Sequence, residues 1–260
     1  MNLRADGRVL RVGHKGAAAL APENTLRSLA RALELGVDLV EFDVLDLVDG
    51  TLVLAHSDDL FEVSHGRARG RVRTRTLDEL RAVAPQLPTL DDALGFLAEQ
   101  DPAVGIHVDL KWYGYEAPAV EALRRHGVAG RTILSSFHPS SLLAVARLEP
   151  TLVRGLTYPW DRHGLSGRRL LAPVILGGLV AVRRTLPLRI GRLLEGAEAS
   201  VAILHHMVVT RAVVARCHLR DAAVFAWTVD SRALLRRLAR AGVDGVITND
   251  PRIFTSTLGS

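Results

Sequence analysis

Cysteine is nearly absent. Cys217 stands alone in 260 residues, which excludes an intramolecular disulfide and a thiolate zinc cage. On its helical segment it is expected to be buried packing. Lysine is almost as scarce: Lys15 and Lys111 are the two lysines among 33 basic residues, and the remainder are arginine. Aromatic residues make up 5% of the chain. The arginines are spread along it without aromatic interleaving, so no nucleic-acid partner is expected. No run of about 20 apolar residues occurs, so no segment is expected to span a bilayer. Residues 1–7 carry Arg4 and Asp6 and no long apolar stretch, so no secretory signal is expected there. These absences together predict a cytoplasmic protein.

What is present is a globular balance, 48% hydrophobic and 23% charged, enough apolar material for one sizeable core. The net charge of +5 fits an anionic partner: a phosphate ester, a lipid surface or nucleic acid. An arginine bias of this kind has a bland origin in genome composition. The two lysines that escape it therefore draw attention.

Along the chain, short apolar runs alternate with segments of helical period. The runs fall at 9–12, 39–44, 52–55, 104–110, 132–134, 152–156, 201–204, 224–229 and 245–248. The helical segments fall at 23–35, 89–99, 118–126, 139–148, 211–219 and 231–241. Pro22-Glu23-Asn24 and Asp230-Ser231 read as helix starts, and Gly36 and Gly242 as helix stops. Such alternation predicts parallel strands with crossover helices. About eight strands in about 250 residues is the size of a (β/α)8 barrel. A doubly wound sheet is the alternative. It is disfavoured because Gly13-His14-Lys15-Gly16, and not a glycine-rich dinucleotide turn, follows the first run. A single barrel domain over residues 1–260 is expected.

In a barrel the chemistry sits at the C-terminal ends of the strands. The first run ends in His14 and Lys15, and the run 52–55 ends in His56. Glu41 and Asp43 lie two apart on an apolar run, so a strand points both carboxylates to one face. By the same alternation His107, Asp109 and Lys111 share a face. Trp227 closes a late run. Three carboxylates without a thiolate suit a hard divalent cation, Mg²⁺ or Ca²⁺. Two histidines beside it suit acid–base work, and lysine suits a phosphate oxygen. The combination reads as metal-assisted phosphoester cleavage. The bland alternatives are ion pairs to arginine for Glu41 and Asp43, a buried pair for Asp109 with Lys111, and core packing for Trp227. His107 is expected to be a hydrogen-bonded packing residue. His205 and His206 follow a strand-like run and could reach the pocket. His65, His126, His138, His163 and His218 read as surface or turn residues.

The motifs Gly13-His14-Lys15-Gly16, Pro22-Glu23-Asn24-Thr25, Glu41-Phe42-Asp43-Val44, Asp49-Gly50 and His56 occur in this order. They continue in Pro88-Thr89-Leu90, Asp109-Leu110-Lys111, Ser136-Phe137, Trp227-Thr228-Val229 and the stretch 242–248. In register over nearly the whole chain, the set resembles the glycerophosphodiester phosphodiesterase family. The resemblance implies a barrel of the phospholipase C-like phosphodiesterase type. It implies hydrolysis of glycerophosphodiesters to sn-glycerol 3-phosphate and an alcohol. Carried over by position, His14 and His56 are the acid/base pair, and Glu41, Asp43 and Asp109 hold the divalent metal. Lys15 and Lys111 contact phosphate, and Trp227 lines the glycerol side. Two positions depart from the family's usual pattern. Lys15 stands where arginine is usual, and Asp109 stands where glutamate is usual, one methylene shorter.

Residues 160–194 break the alternation, with mostly apolar residues 170–182 between arginine pairs. A barrel helix with an insertion is one reading. An interfacial segment touching anionic lipid is the other, and it predicts a lysophospholipid or another membrane-borne diester as substrate, with peripheral membrane localisation. A lysophospholipase D-like phosphodiesterase and a catalytically weak phosphodiester-binding barrel are the rival functions.

Overall fold

The structure is a computed structural model and describes residues 3–4, 8–159 and 172–254. Among the described residues nine strands form: β1 (Leu10–Gly13), β2 (Leu39–Asp46), β3 (Leu52–Leu54), β4 (Gly105–Leu110), β5 (Thr132–Ser136), β6 (Val153–Tyr158), β7 (Val201–His205), β8 (Ala223–Trp227) and β9 (Gly245–Thr248). Eight are parallel and close on themselves, β1 pairing with both β9 and β2, so the sheet is a (β/α)8 barrel. The run 52–55 is not a barrel strand. It yields β3, which folds back antiparallel on β2 with Val44 opposite Leu54. Its apolar residues are explained by a satellite core of Leu45, Leu47, Val53, Leu60, Val72 and Leu80. Two short helices shape this excursion, α2 (Leu60–Val63) and α3 (Leu77–Val83). The helical pattern in the sequence did not single either out.

The alternation of each strand divides the molecule into two cores. Leu10, Val12, Leu39, Ile133, Val201, Ile203, Phe225 and Ile247 fill the barrel interior. Their outward neighbours, such as Val40, Phe42 and Val44 on β2 and Ile106, Val108 and Leu110 on β4, pack beneath the helices. Each such fully buried side chain contributes roughly 1.5–3 kcal/mol. The helices after the satellite are α4 (Leu90–Ala98), α5 (Glu116–Arg125), α6 (Pro139–Leu148), α7 (Ala172–Gly196), α8 (Arg211–His218) and α9 (Arg232–Ala241). The first helix, α1 (Leu26–Glu34), starts later than residue 23: Thr25 is its N-cap and accepts from the Ser28 N–H. Gly36 and Gly242 are left-handed beyond α1 and α9, and Ser231 caps α9, as their sequence context predicts.

Of the segment 160–194, residues 160–171 lie outside the described residues, and with them His163 and the pair Arg168-Arg169. The rest falls in α7, which buries Leu186, Ile190 and Leu194 against the barrel. Those three recur every four residues, so this half is an ordinary barrel helix. Among the described residues no helix is long and apolar enough to cross a membrane. His138, read as a turn residue, caps α6 and is buried beside Trp112 and Tyr113. His126 and His218 pair with Asp91 and Asp244. Cys217 is buried, as expected.

Candidate active site

Strand ends bring the polar residues together at one mouth. β1 delivers His14, and the turn after it is made possible by two glycines. A side chain at Gly13 would meet the Gly16 carbonyl at 2.4 Å, and one at Gly16 would meet the Ser28 backbone at 2.4 Å. The turn packs this tightly because Ala17 N–H donates to Ser28 Oγ, which in turn donates to the Lys15 carbonyl. Lys15 is left-handed, and its own N–H donates to Glu41 Oε2 at 2.7 Å. Its ammonium turns to Glu23 at 3.0 Å.

Residues 22–25 form the lip above this turn and not the first turn of α1. Thr25 Oγ1 donates to the Pro22 carbonyl, Glu23 pairs with Lys15, and Asn24 clamps Asp43 with two bonds, Nδ2–H to Oδ2 at 2.9 Å and Oδ1 from the Asp43 N–H at 3.1 Å. The sequence reading took residues 22–24 for a helix start and gave none of the four a place in the site, although Asn before a Thr cap is a recognisable turn signal.

Inside the mouth Glu41, Asp43 and Asp109 are all buried. Lys111 stands between two of them, its Nζ 2.7 Å from Asp43 Oδ1 and 2.6 Å from Asp109 Oδ2. Burial alone would discharge this lysine, but Asp109, Asp43 and Glu41 outweigh it and hold it charged, its pKa above the ordinary lysine value. Burial would likewise raise Asp43, yet Lys111 and the neighbouring histidines pull its pKa far below the carboxylate range. Glu41 goes the other way: burial first, then the Asp43 charge, push its pKa well up. Among the described residues Asp43 Oδ1 makes no directional hydrogen bond, its contact to Lys111 being ionic only.

This donor set fits a hard cation. All three groups offer oxygen, one ammonium does not balance three buried carboxylates, and one carboxylate oxygen has no hydrogen-bond donor. Among the described residues no three acidic, histidine or cysteine side chains already stand at metal-ligand spacing, because Lys111 lies between Asp43 and Asp109.

The two histidines are held differently. His14 Nδ1 lies 2.6 Å from Asn249 Oδ1, and Asn249 Nδ2–H donates to Asp230 at 2.7 Å. That second bond fixes the amide orientation, so His14 Nδ1 carries the proton and Nε2 is bare. Nε2 points toward Glu41 Oε2, 4.0 Å away. Burial is the main reason the His14 pKa falls to about 4, so the ring is neutral at pH 7. His56 follows β3, is half exposed, and its Nδ1 lies 3.2 Å from Glu62 Oε1. The bond from His56, with another from Ser57, takes the Glu62 pKa down to about 2. Glu62 and Asn249 escaped the sequence reading, and Asp230 entered it only as a helix start, since each is remote in sequence from the histidine it serves or sits on an unpredicted element.

The opposite wall is aromatic. Trp227 stands edge-on to Phe137 at 6.1 Å and to His205 at 5.2 Å, and Lys111 lies 5.6 Å over the Phe137 ring. His205 therefore joins the wall, with His206 against it at 4.3 Å. His107 is buried inside the barrel, hydrogen-bonded to Ser135 at 2.8 Å. Beside His56 a cavity of about 650 Å³ opens between the 22–25 lip and the satellite, with Leu54, Val63 and Leu87 among its lining residues.

Residues 14–253 match the profile of the glycerophosphoryl diester phosphodiesterase family. A glycerophosphodiester phosphodiesterase of Caldanaerobacter subterraneus subsp. tengcongensis is 28% identical over 94% of this chain and 95% of the relative. An Oleispira antarctica phosphodiesterase, solved in complex with the product sn-glycerol-3-phosphate, superposes with a TM-score of 0.74 at 24% identity, over 96% of this chain and 97% of that one. A Thermotoga maritima glycerophosphodiester phosphodiesterase superposes with a TM-score of 0.69 at 22% identity, over 96% and 98%. The two structural likenesses speak for the barrel, and the profile match over nearly every described residue speaks for descent: the chain belongs to the glycerophosphoryl diester phosphodiesterase family.

Proposed function

We propose that this enzyme hydrolyses glycerophosphodiesters to sn-glycerol 3-phosphate and an alcohol, using His14 as general base and His56 as general acid. The observation that carries the assignment is the pair of histidine partners. His14 is buried, neutral and bare at Nε2, because Asn249 occupies Nδ1. His56 has the Glu62 carboxylate 3.2 Å from its Nδ1, which orients the ring and leaves Nε2 as the nitrogen that can give a proton to a leaving oxygen. Lys15 and Lys111 line the mouth as point charges for the phosphate oxygens. Trp227 supplies the apolar wall for glycerol.

The proton moves in one direction. His14 Nε2 takes it from the attacking hydroxyl, of water or of the glycerol 2-position, as that oxygen bonds to phosphorus. The ester P–O bond to the alcohol breaks, and His56 returns a proton to the departing oxygen. With water as nucleophile this gives sn-glycerol 3-phosphate directly. Attack by the 2-hydroxyl instead gives a cyclic phosphate, whose P–O bond to the 2-oxygen a water then breaks, with the two histidines exchanging roles. Glu41, Asp43 and Asp109 are the residues that would hold a divalent cation, Mg²⁺ or Ca²⁺. Bound there, it neutralises charge on the phosphate oxygens.

Release of sn-glycerol 3-phosphate from glycerophosphocholine, measured with EDTA and after adding back Mg²⁺ or Ca²⁺, tests the reading. Metal-dependent release that falls at least ~100-fold in both His14→Ala and His56→Ala is expected. Full activity in either variant would remove that histidine from its role.

A second substrate class has its own support. The cavity beside His56 exceeds what a small headgroup needs and has apolar side chains among its lining. The outer face of α7 exposes Val180 and Leu188 alongside Arg184. Both features suit a lysophospholipid met at an anionic membrane surface. Cosedimentation with anionic vesicles, reduced in Leu188→Glu, is expected on that reading. No sedimentation with wild type would limit the substrate to free glycerophosphodiesters.

A further inference from the structure

Ser135 and His107 play no part in the reading above, yet both are buried in the barrel interior next to Asp109. Strand register places Ser135 on β5 directly beside Asp109 on β4. Its Oγ stands between two partners, donating to Asp109 Oδ1 and lying 2.8 Å from His107 Nε2. Chemistry sets the direction. A carboxylate accepts and cannot give, so the single hydroxyl proton goes to Asp109. His107 Nε2 must then carry a proton and donate to the hydroxyl. Among the described residues the buried His107 Nδ1 has no hydrogen-bond partner, so nothing there competes for the ring proton that Nε2 carries. Thr157 adds a 3.3 Å bond to the same Asp109 oxygen. Space for the array comes from Gly155, the β6 neighbour of Ser135: a side chain there would come within 3.2 Å of the Ser135 Cβ and 2.6 Å of Ile203.

Asp109 Oδ1 is therefore held from within the barrel, and Oδ2 is the oxygen left to the mouth, where Lys111 meets it. We propose that Ser135 and His107 are positioning residues that orient Asp109, and through it set the affinity for the divalent cation. This rests on the proposed role of Asp109 as a metal-holding carboxylate. A short side chain with one oxygen pinned has a single useful direction, so loss of the pin should be felt at the metal.

The test is calorimetric titration of the metal-stripped full chain with Mg²⁺ and with Ca²⁺. Ser135→Ala should weaken binding at least ~10-fold, and His107→Leu at least ~3-fold. His107→Gln, which restores an N–H at the Nε2 position, should recover most of the loss. Ser136→Ala is the control. It is equally buried on the same strand, but its hydroxyl donates to the Leu110 carbonyl and does not touch Asp109, so binding within ~2-fold of wild type is expected. Equal losses in Ser135→Ala and Ser136→Ala would overturn the proposal, as would unchanged binding in Ser135→Ala while Asp109→Ala binds poorly. Unchanged binding in Asp109→Ala would instead place the failure in the role given to Asp109, and the proposal would fall with it.

Discussion

Single side chains in this mouth act through partners supplied by other parts of the chain. His14 is aligned by Asn249, 235 positions away, which Asp230 aligns in turn. Asn249→Leu should leave the ring free to adopt the other tautomer, and kcat should fall roughly 10- to 100-fold with KM little changed. A steady-state comparison on glycerophosphocholine checks this, and a change confined to KM would count against it. Glu62 serves His56 in the same way, but from a half-exposed site. Glu62→Gln keeps a hydrogen-bond acceptor and removes the charge, so a smaller loss in kcat, about 3- to 10-fold, is expected from the same assay. Lys15 and Lys111 are not equivalent despite their shared rarity. Lys111 is fixed by two carboxylates at 2.7 and 2.6 Å, whereas Lys15 pairs with Glu23 at the lip, whose side chain is about a third exposed.

Among the elements, the turn after β1 carries the largest constraint. Gly16 has a positive φ of 81°, and a Cβ on it would strike the Ser28 backbone at 2.4 Å. Gly16→Ala therefore meets strain and steric clash together, and a loss of about 3 kcal/mol or more is expected in chemical denaturation. A loss below about 1 kcal/mol would mean that the turn and α1 can separate. The β2–β3 hairpin shows the opposite economy. It leaves the barrel, builds its own small core, and thereby holds His56 over the mouth from outside the eight-stranded ring.

Across the whole molecule, chemistry and stability sit at opposite ends of the barrel. At the N-terminal end Asp38 accepts from the Arg11 backbone at 2.8 Å and from its guanidinium at 3.0 and 3.1 Å, and pairs with Arg8 at 2.9 Å. Burial would raise the Asp38 pKa, but these bonds outweigh it and hold the value below the ordinary 3.8. A depressed carboxylate stabilises the fold above its unfolded pKa, and the contribution is lost as pH falls through the folded value. Asp38→Ala should thus cost about 2 kcal/mol at pH 7, less as pH drops below about 4, with kcat unchanged. Denaturation at both pH values checks the sign. A cation bound by Glu41, Asp43 and Asp109 would act on the same folding equilibrium from the other end. Mg²⁺ or Ca²⁺ at 100 times its Kd should add about 2.7 kcal/mol, seen as a rise in Tm over the EDTA-treated protein. No rise with either metal would speak against that carboxylate set.

The sequence by itself determined the barrel, because period-2 and period-3.6 hydrophobicity alternate along it and parallel strands joined by helices have few ways to close. It also determined which types of group face the mouth: Glu41 and Asp43 two apart on a strand must share a side, and so must His107 and Asp109. The tertiary structure alone decided what those groups do to one another. It put Lys111 between Asp43 and Asp109, gave Asn24 to Asp43 and Asn249 to His14, and moved His56 onto a hairpin outside the ring. Local periodicity reports only which side of an element is buried. Hydrogen-bond partners across 19, 26 or 235 residues depend on how whole elements register against each other, and that register appears only when the barrel closes.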